Sequence, residues 1–157
     1  MNIVPTDQIP QGQSNRRIEL SRLYRTALDM QKICEEQQGV GLSAFQVGID
    51  WNLFVIQKDG NYEYFVDCEY EPIGAATKLS VEGCLSIRKD DGALRMYEVE
   101  RYSEVRITGK QIVDDDKLRL EEVDIEVDGI YAIVFQHEID HAKNVLISDN
   151  GKEVHIW

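Results

Sequence analysis

Residues 135–141 have the sequence FQHEIDH, which sets two histidines four positions apart with a glutamate beside the first. On an α-helix, residues four apart share a face, so His137 and His141 can reach one ion while Glu138 stays close to a water molecule on it. The stretch therefore predicts a helix with metal chemistry, and this helix decides the fold.

The segment around this stretch indicates where the helix lies. We expect it to begin near Asp128-Gly129 and to run to about Asn144. A helix that is apolar around much of its circumference is buried in the middle of a fold, where an unpaired histidine is costly and a metal ion would be a suitable partner. One face carries Ile130, Ile133, Val134, His137 and His141, and another side carries Phe135, Ile139 and Ala142.

Upstream, the sequence predicts an extended lead-in over residues 1–13, then a further helix and a hairpin. Apolar residues recur at helical spacing after Ser14, taken as the N-cap, and Gly39 supplies the stop. Short β-like runs at 52–56 and 62–70 flank Asp59-Gly60-Asn61, which we expect to form the hairpin turn.

A second pair of strands completes the predicted fold. Residues 104–112 and 117–127 alternate apolar and polar side chains and join at the acidic turn Asp114-Asp115-Asp116. A skipped beat between Leu120 and Val123 predicts a bulge. The fold class is therefore α+β, with antiparallel β-strands around the central HExxH helix and the N-terminal helix packed outside.

Composition limits the possible functions. The chain has 157 residues, 43% of them hydrophobic, and fits a single domain over residues 1–157. Its formal charge of -12 would repel phosphate backbones and anionic lipids, so we expect neither nucleic acid nor a membrane as partner. No apolar run approaches membrane-spanning length. Cys34, Cys68 and Cys84 cannot all pair with one another, which fits a reducing cytosol.

The residues alone leave the third metal ligand open. An extended HExxH protease motif would need glycine at 144 and histidine at 147, but the chain has Asn144 and Ile147. Upstream, Cys84 in VEGCLSI offers a soft donor in a short turn, although a lone cysteine is more often a buried, inert thiol. A chance HEIDH, with each histidine bonded to a backbone carbonyl, is the remaining alternative. The downstream donors, in a short polar tail with no second helix to hold them, are Asp149, Glu153 and His155.

Three motifs together resemble those of a known family. EGCLS at 82–86, QHEIDH at 136–141 and GVGLSAFQ at 39–46 stand in the order and approximate spacing of the signature motifs of the peptide deformylases. These hydrolases remove the N-formyl group from the initiating methionine of new bacterial-type polypeptides and release formate. The resemblance extends from the first helix to about Ile147.

The resemblance implies a metal set and a catalytic set. Iron(II) is the ion expected from the family, and zinc(II), nickel(II) or cobalt(II) would also suit such ligands. By resemblance, Cys84, His137 and His141 bind the ion, Glu138 is the general base and then the general acid, and the Gln46 side-chain amide and Leu85 backbone N–H stabilise the oxyanion.

The resemblance also implies how an N-formylmethionyl peptide would bind. Val40, Ile133 and Val134 match the methionine pocket, with Glu82 and Gly83 near its rim, although the first three also fit an ordinary core. Gly41 would let backbone groups pair with an extended peptide. Arg101 matches an arginine near the substrate and Glu82, and Asp140 and Gln136 are candidates for orienting the histidine rings.

The chain departs from the family pattern in several places. Ser43 replaces alanine, VDC at 66–68 replaces Asn-Pro, and residues 88–101 form a longer, charged connection in place of proline. The chain stops soon after the metal helix, so we expect a short form with weak or no stable ribosome binding. Such a chain fits a virus or mobile element as well as a bacterium, acting in the cytoplasm, or in the host cytoplasm if viral. A catalytically silent relative remains the alternative of a different class.

Overall fold

The computed structural model describes residues 1–13 and 17–155, and more of them belong to strands than to helices. The helices are α1 (Leu20–Glu36), α2 (Gly129–Ala142) and the single turn α3 (Ile147–Asn150), and short 3-10 turns cover Thr6–Gln8 and Ala44–Val47. The strands are β1 (Gly41–Ser43), β2 (Leu53–Lys58), β3 (Asn61–Pro72), β4 (Thr77–Arg88), β5 (Leu94–Tyr102), β6 (Glu104–Asp114), β7 (Leu118–Asp128) and β8 (Gly151–Val154). Over the described residues, every helix is too short or too polar to span a lipid bilayer.

A five-stranded antiparallel sheet, in the order β1-β2-β3-β6-β7, lies between the two long helices. Along β2, Leu53 and Val55 belong to the cluster that contains the buried face of α1. Phe54 and Ile56 belong to the cluster that contains the buried face of α2. The run is apolar at consecutive positions because both faces of this strand are covered.

A second sheet of three antiparallel strands, β4-β5-β8, meets α2 from another side. Cys84 on β4 belongs to a third cluster with Ile87, Val99 and Ile147. The helix α2 contacts strands of both sheets. This packing brings Cys84 beside the helix that carries both histidines.

The predicted architecture is confirmed. Antiparallel strands surround α2, and α1 packs on the outer face of the five-stranded sheet. The first hairpin turns at Asp59 and Gly60, whose φ values of 52° and 83° are left-handed, as its sequence predicts. The second hairpin, β6 and β7, turns next to the acidic triplet.

Two predicted details of the helices differ from the structure. The start of α1 at Ser14 lies outside the described residues, and the helix itself begins at Leu20 after Glu19. At its other end, the left-handed position is Gln38, with φ 56°, and not Gly39. Gly39 instead donates its N–H to the carbonyl of Cys34, so it follows the turn that ends the helix.

The predictions were wrong for several strands, because local sequence pattern does not show which strands pair with one another. The bulge expected between Leu120 and Val123 is absent, because β6 and β7 pair in unbroken register. Cys84 lies in a long strand rather than a short turn, and the charged connection over 88–101 is mostly β5. The polar tail forms α3 and β8, which pairs with β5.

The sheet does contain a bulge, in β3. Its pairing with β6 shifts register between Val66 and Glu69, and Asp67 adopts a left-handed φ of 54°. The opposing Gly109 has φ 151°, and a Cβ there would lie 2.6 Å from the sulfur of Cys68. Glycine is required at this position because the bulge brings two backbones too close for any side chain.

We expect Gly109→Ala to lower the free energy of unfolding by about 2 to 3 kcal/mol, from backbone strain and overpacking together. Urea unfolding followed by circular dichroism measures this loss. Gly12→Ala is the control, because nothing lies within 4 Å of a Cβ there. Equal stability of the two variants would contradict the assignment of the bulge.

Candidate active site

Three potential metal ligands from two elements meet beneath the surface. Cys84 comes from β4, and His137 and His141 come from successive turns of α2. One donor atom from each lies within 4.8 Å of the others. Cys84 and His141 are buried, at 2% relative exposure each. The helix therefore places the two histidines on one face, as their spacing predicts, and β4 brings a third possible ligand beside them.

The polar atoms around this cluster fit a metal ion with a water molecule. Both ring nitrogens of His141 are buried without a hydrogen-bond partner, and so is Oε2 of Glu138. Buried polar atoms nearly always have partners, so these atoms mark a place that an ion and its water would satisfy. The alternative in which each histidine bonds a backbone carbonyl is wrong, because His137 contacts Glu82 and His141 has no such partner.

Glu82 fixes the orientation of the first histidine. Its Oε1 lies 2.8 Å from Nδ1 of His137. Burial raises the pKa of Glu82, but the hydrogen bonds from Arg101 and His137 outweigh it and lower the pKa to about 2. An ionised carboxylate only accepts hydrogen bonds, so Nδ1 carries the proton and Nε2 is left free as a ligand.

Behind Glu82 stands a chain of buried charges. Arg101 donates to Glu82 from Nε at 2.8 Å and from Nη2 at 2.7 Å. Its Nη1 donates to Asp140 at 2.8 Å, and the hydroxyl of Tyr70 donates to the other oxygen of Asp140 at 2.7 Å. The four carboxylate oxygens of Glu82 and Asp140 are thus all hydrogen-bonded, which is what buried charges require.

Gln46 is held by the turn that follows β1. Its Oε1 accepts the backbone N–H of Ser43 at 2.9 Å, so the side chain caps its own 3-10 turn. The amide nitrogen therefore points the other way, 3.3 Å from the sulfur of Cys84 and 3.4 Å from the hydroxyl of Ser86. Ser43 fits this turn, although the family pattern has alanine there.

Glu138 lies beside the ligand cluster in a space left by a glycine. Its Oε1 is 3.8 Å from Nε2 of His141. Burial, with repulsion from Glu82, raises the pKa of Glu138 to about 7 against the opposing effects of His137 and Arg101. A Cβ on Gly41 would lie 3.1 Å from the carboxyl carbon and from Oε2.

A cavity of about 280 Å³ opens onto these groups. Its apolar wall includes side chains from the loop after α1, from β4 and β5, and from α2. Of the predicted substrate residues, Val40, Gly41, Glu82, Gly83, Ile133 and Val134 line it, together with Gln46, Leu85, His137 and Glu138. Six of the seven predicted substrate residues therefore line the cavity.

The exception is Arg101, which does not line the cavity and is only 3% exposed. Neither Asp140 nor Gln136 contacts a histidine ring as expected. Asp140 holds Arg101, and Gln136 bonds the backbone of Tyr102 at 3.0 and 2.9 Å. Their effect on the rings is indirect, through the packing of α2 on β5.

Sequence reasoning missed residues that only tertiary pairing brings to the site. Tyr70 reaches Asp140 after the bulge in β3, Ser86 contacts Gln46, and Leu94 of β5 lines the cavity. None of these three residues has a local sequence signal, because their contacts follow from pairing between strands and β5 alternates imperfectly.

A cysteine and two histidines beside a buried glutamate, at the base of a cleft, are typical of metal-dependent hydrolases. Within that class, the model of the polypeptide deformylase family matches residues 7–156, and the chain belongs to this family. Peptide deformylases remove the N-formyl group from new polypeptides.

Named relatives agree with this assignment. The peptide deformylase of Thermotoga neapolitana is 34% identical over 130 residues, which cover 83% of this chain and 73% of the relative. The crystal structure of peptide deformylase from Thermotoga maritima superposes with a TM-score of 0.78 at 28% identity and covers 95% of both chains. A probable peptide deformylase from the Synechococcus phage S-SSM7 has the same fold, with a TM-score of 0.79 at 23% identity over 95% of this chain and 98% of that one.

Arg101→Met should destabilise the protein by about 3 to 5 kcal/mol, because it leaves the carboxylates of Glu82 and Asp140 buried without their cation. Urea unfolding of the metal-free protein measures the loss independently of ion binding. The matched control is Arg106→Met, which breaks an exposed ion pair with Asp124 and should change stability little. Similar losses of stability in both variants would contradict the proposed importance of the buried ion pairs of Arg101.

Proposed function

We propose that this chain hydrolyses the formamide of N-formylmethionyl peptides with Cys84, His137 and His141 as ligands of one divalent ion. The observation that carries the proposal is the group of buried, unpartnered polar atoms on His141 and Glu138 beside Cys84. A purely structural metal site would normally be closed by a fourth protein ligand, and the described residues offer only these three together.

The ligand set narrows the choice of ion. A thiolate with two imidazoles suits iron(II), zinc(II), cobalt(II) or nickel(II), and we propose iron(II) as the physiological ion. When bound, such an ion lowers the pKa of a water molecule and polarises a carbonyl oxygen. Iron(II) beside a thiolate would also make the protein sensitive to oxidation.

Glu138 moves the proton in this proposal. Its Oε2 has no partner among the described residues, and its Oε1 lies 3.8 Å from Nε2 of His141, so an oxygen of this carboxylate can take a proton from the attacking water. The same oxygen then delivers that proton to the departing amine. Because Gly41 has no side chain, the carboxylate of Glu138 can occupy the space beside it.

Gln46 and Leu85 stabilise the charge that develops on the formyl oxygen. The cap on Ser43 fixes Gln46 before substrate arrives, so its amide nitrogen needs little reorganisation. The backbone N–H of Leu85 follows Cys84 directly and would be the second donor. Donors held in place in a dry site stabilise a transition state more than the same donors in water.

The substrate peptide would lie between two strand edges. Among the described strands, β1 pairs with β2 alone and β4 with β5 alone, so each has an edge that an added strand can use. Gly41 and Gly83 stand on these edges at the cavity. The methionine side chain would enter the apolar wall formed by Val40, Ile133 and Val134, with Glu82 held at its rim.

We also propose a domain organisation, a cellular location and a partner class for this enzyme. Residues 1–157 act as one catalytic domain, since the ligands come from both β4 and α2. The free cysteines favour the cytoplasm. A charge of -12 favours weak or no stable ribosome binding and argues against nucleic acid or an anionic membrane as partners.

Protein purified without oxygen should release formate from a formyl-Met tripeptide and contain one ion per chain. Glu138→Gln should keep the ion and lose about 10²- to 10⁴-fold in kcat, since only proton transfer is removed. Cys84→Ser should lose both ion and turnover. A fully loaded, folded protein without turnover would favour a silent relative that binds formylated peptides.

Gly41→Ala should lower kcat by about tenfold to a hundredfold, because a Cβ 3.1 Å from Oε2 of Glu138 displaces the base from its position. Metal content should stay unchanged, which separates this effect from loss of the ion. An unchanged kcat, measured beside Gly12→Ala, would show that the base tolerates the shift and would contradict the role of Gly41.

A further inference from the structure

An exposed apolar strip, formed by Leu79 and Val81, extends along β4 from the mouth of the cavity. Side chains alternate along this strand, with Glu82 and Cys84 buried, whereas Leu79 and Val81 are 66% and 51% exposed. Val81 lines the cavity, and Leu79 lies beyond it on the same face. The strip therefore continues the cavity wall in the direction away from Cys84.

The strip has polar neighbours on one side. Across the ladder, Glu100 pairs with Leu79 and Glu98 with Val81, so these carboxylates share the face of the strip. Lys152 of β8 pairs with Glu98 on its other side. An apolar centre with a charged rim is the usual composition of a binding surface.

The edge of β4 beside this strip has no partner among the strands that the structure describes. From Thr77 to Gly83, β4 keeps continuous register with β5 on one side only. An edge strand offers a row of N–H and C=O groups to any extended peptide that arrives beside it. Backbone pairing and apolar side-chain contact are therefore available along the same seven-residue path.

The distance along β4 from Cys84 to Leu79 indicates which substrate residues would lie beside the strip. A peptide whose formyl group lies at Cys84 and which follows β4 toward Thr77 runs antiparallel to the strand. Leu79 precedes Cys84 by five positions, which an extended peptide covers in about five residues at roughly 3.3 Å each. Because side chains alternate, the third residue would lie beside Val81 and the fifth beside Leu79.

We propose that Leu79, beyond the cavity, forms a downstream subsite that contacts the fifth residue of the nascent chain and favours an apolar side chain there. The inference rests on the proposed deformylase function. The occupant is the substrate itself, because the strip is continuous with the catalytic cavity and borders the edge on which the substrate would pair.

Contacts so far from the reacting carbon bind the substrate and the transition state equally well. They should therefore lower KM and raise kcat/KM while leaving kcat unchanged. A single aliphatic side chain against a partly exposed surface should change kcat/KM by about threefold to tenfold.

The test compares two hexapeptides, formyl-Met-Ala-Ala-Ala-Leu-Ala and the same peptide with serine at the fifth position, beside a formyl-Met tripeptide. The leucine peptide should have the higher kcat/KM with the unmodified protein. Leu79→Ser should abolish this difference and leave tripeptide turnover unchanged. Leu120→Ser is the matched control, because Leu120 is also exposed, at 38%, but lies on β7 in the other sheet.

Equal kcat/KM for the two hexapeptides, or a preference that survives Leu79→Ser, would overturn the subsite. Self-association that Leu79→Ser removes, without any peptide preference, would assign the strip to a second copy of the chain and overturn it as well. The tripeptide separates the two proposals. No turnover of the tripeptide would contradict the deformylase function, whereas normal turnover without a preference at the fifth residue would contradict the subsite alone.

Discussion

The salt bridge between Arg101 and Glu82 is the interaction on which the rest of this structure depends. Its two bonds, at 2.8 and 2.7 Å, join β5 to β4, and a third bond from the same guanidinium reaches Asp140 on α2. Three elements are thus fixed around one cation. Buried ion pairs contribute little net stability compared with apolar packing, but they enforce one arrangement because any other leaves a charge unpaired.

That arrangement assembles the site from side chains of separate elements, none of which carries the complete site. The strand β4 carries Cys84 and Glu82, while α2 carries both histidines and Glu138. The cation between them sets the distance from strand to helix, and Glu82 passes the constraint on to the ring of His137. Gln46 enters from the far side on a turn that is capped by its own side chain. Preorganisation here comes from polar bonds between elements rather than from rigidity of any one element.

The sequence was sufficient where function and local pattern coincide. The HEIDH spacing predicted the central helix and the shared face of His137 and His141, and the Asp59-Gly60 turn predicted the first hairpin. Prediction failed for β4 and β5, because a long strand that contains a glycine, a cysteine and several charges has no clean alternation. Tyr70 could not be found at all. The bulge before it reverses which side chains face inward, and bulges follow from pairing between strands.

The open edge of β4 has a consequence for the protein at high concentration. Most proteins cover or charge such edges because two of them can join into a continuous sheet and start aggregation. In the proposed binding mode the substrate pairs with this edge, so the edge stays uncovered, and two exposed aliphatic side chains border it. The negative charge of the chain opposes such joining. With a net charge of -12, two copies repel one another before their edges meet, so the charge of the chain helps to keep the open edge unpaired.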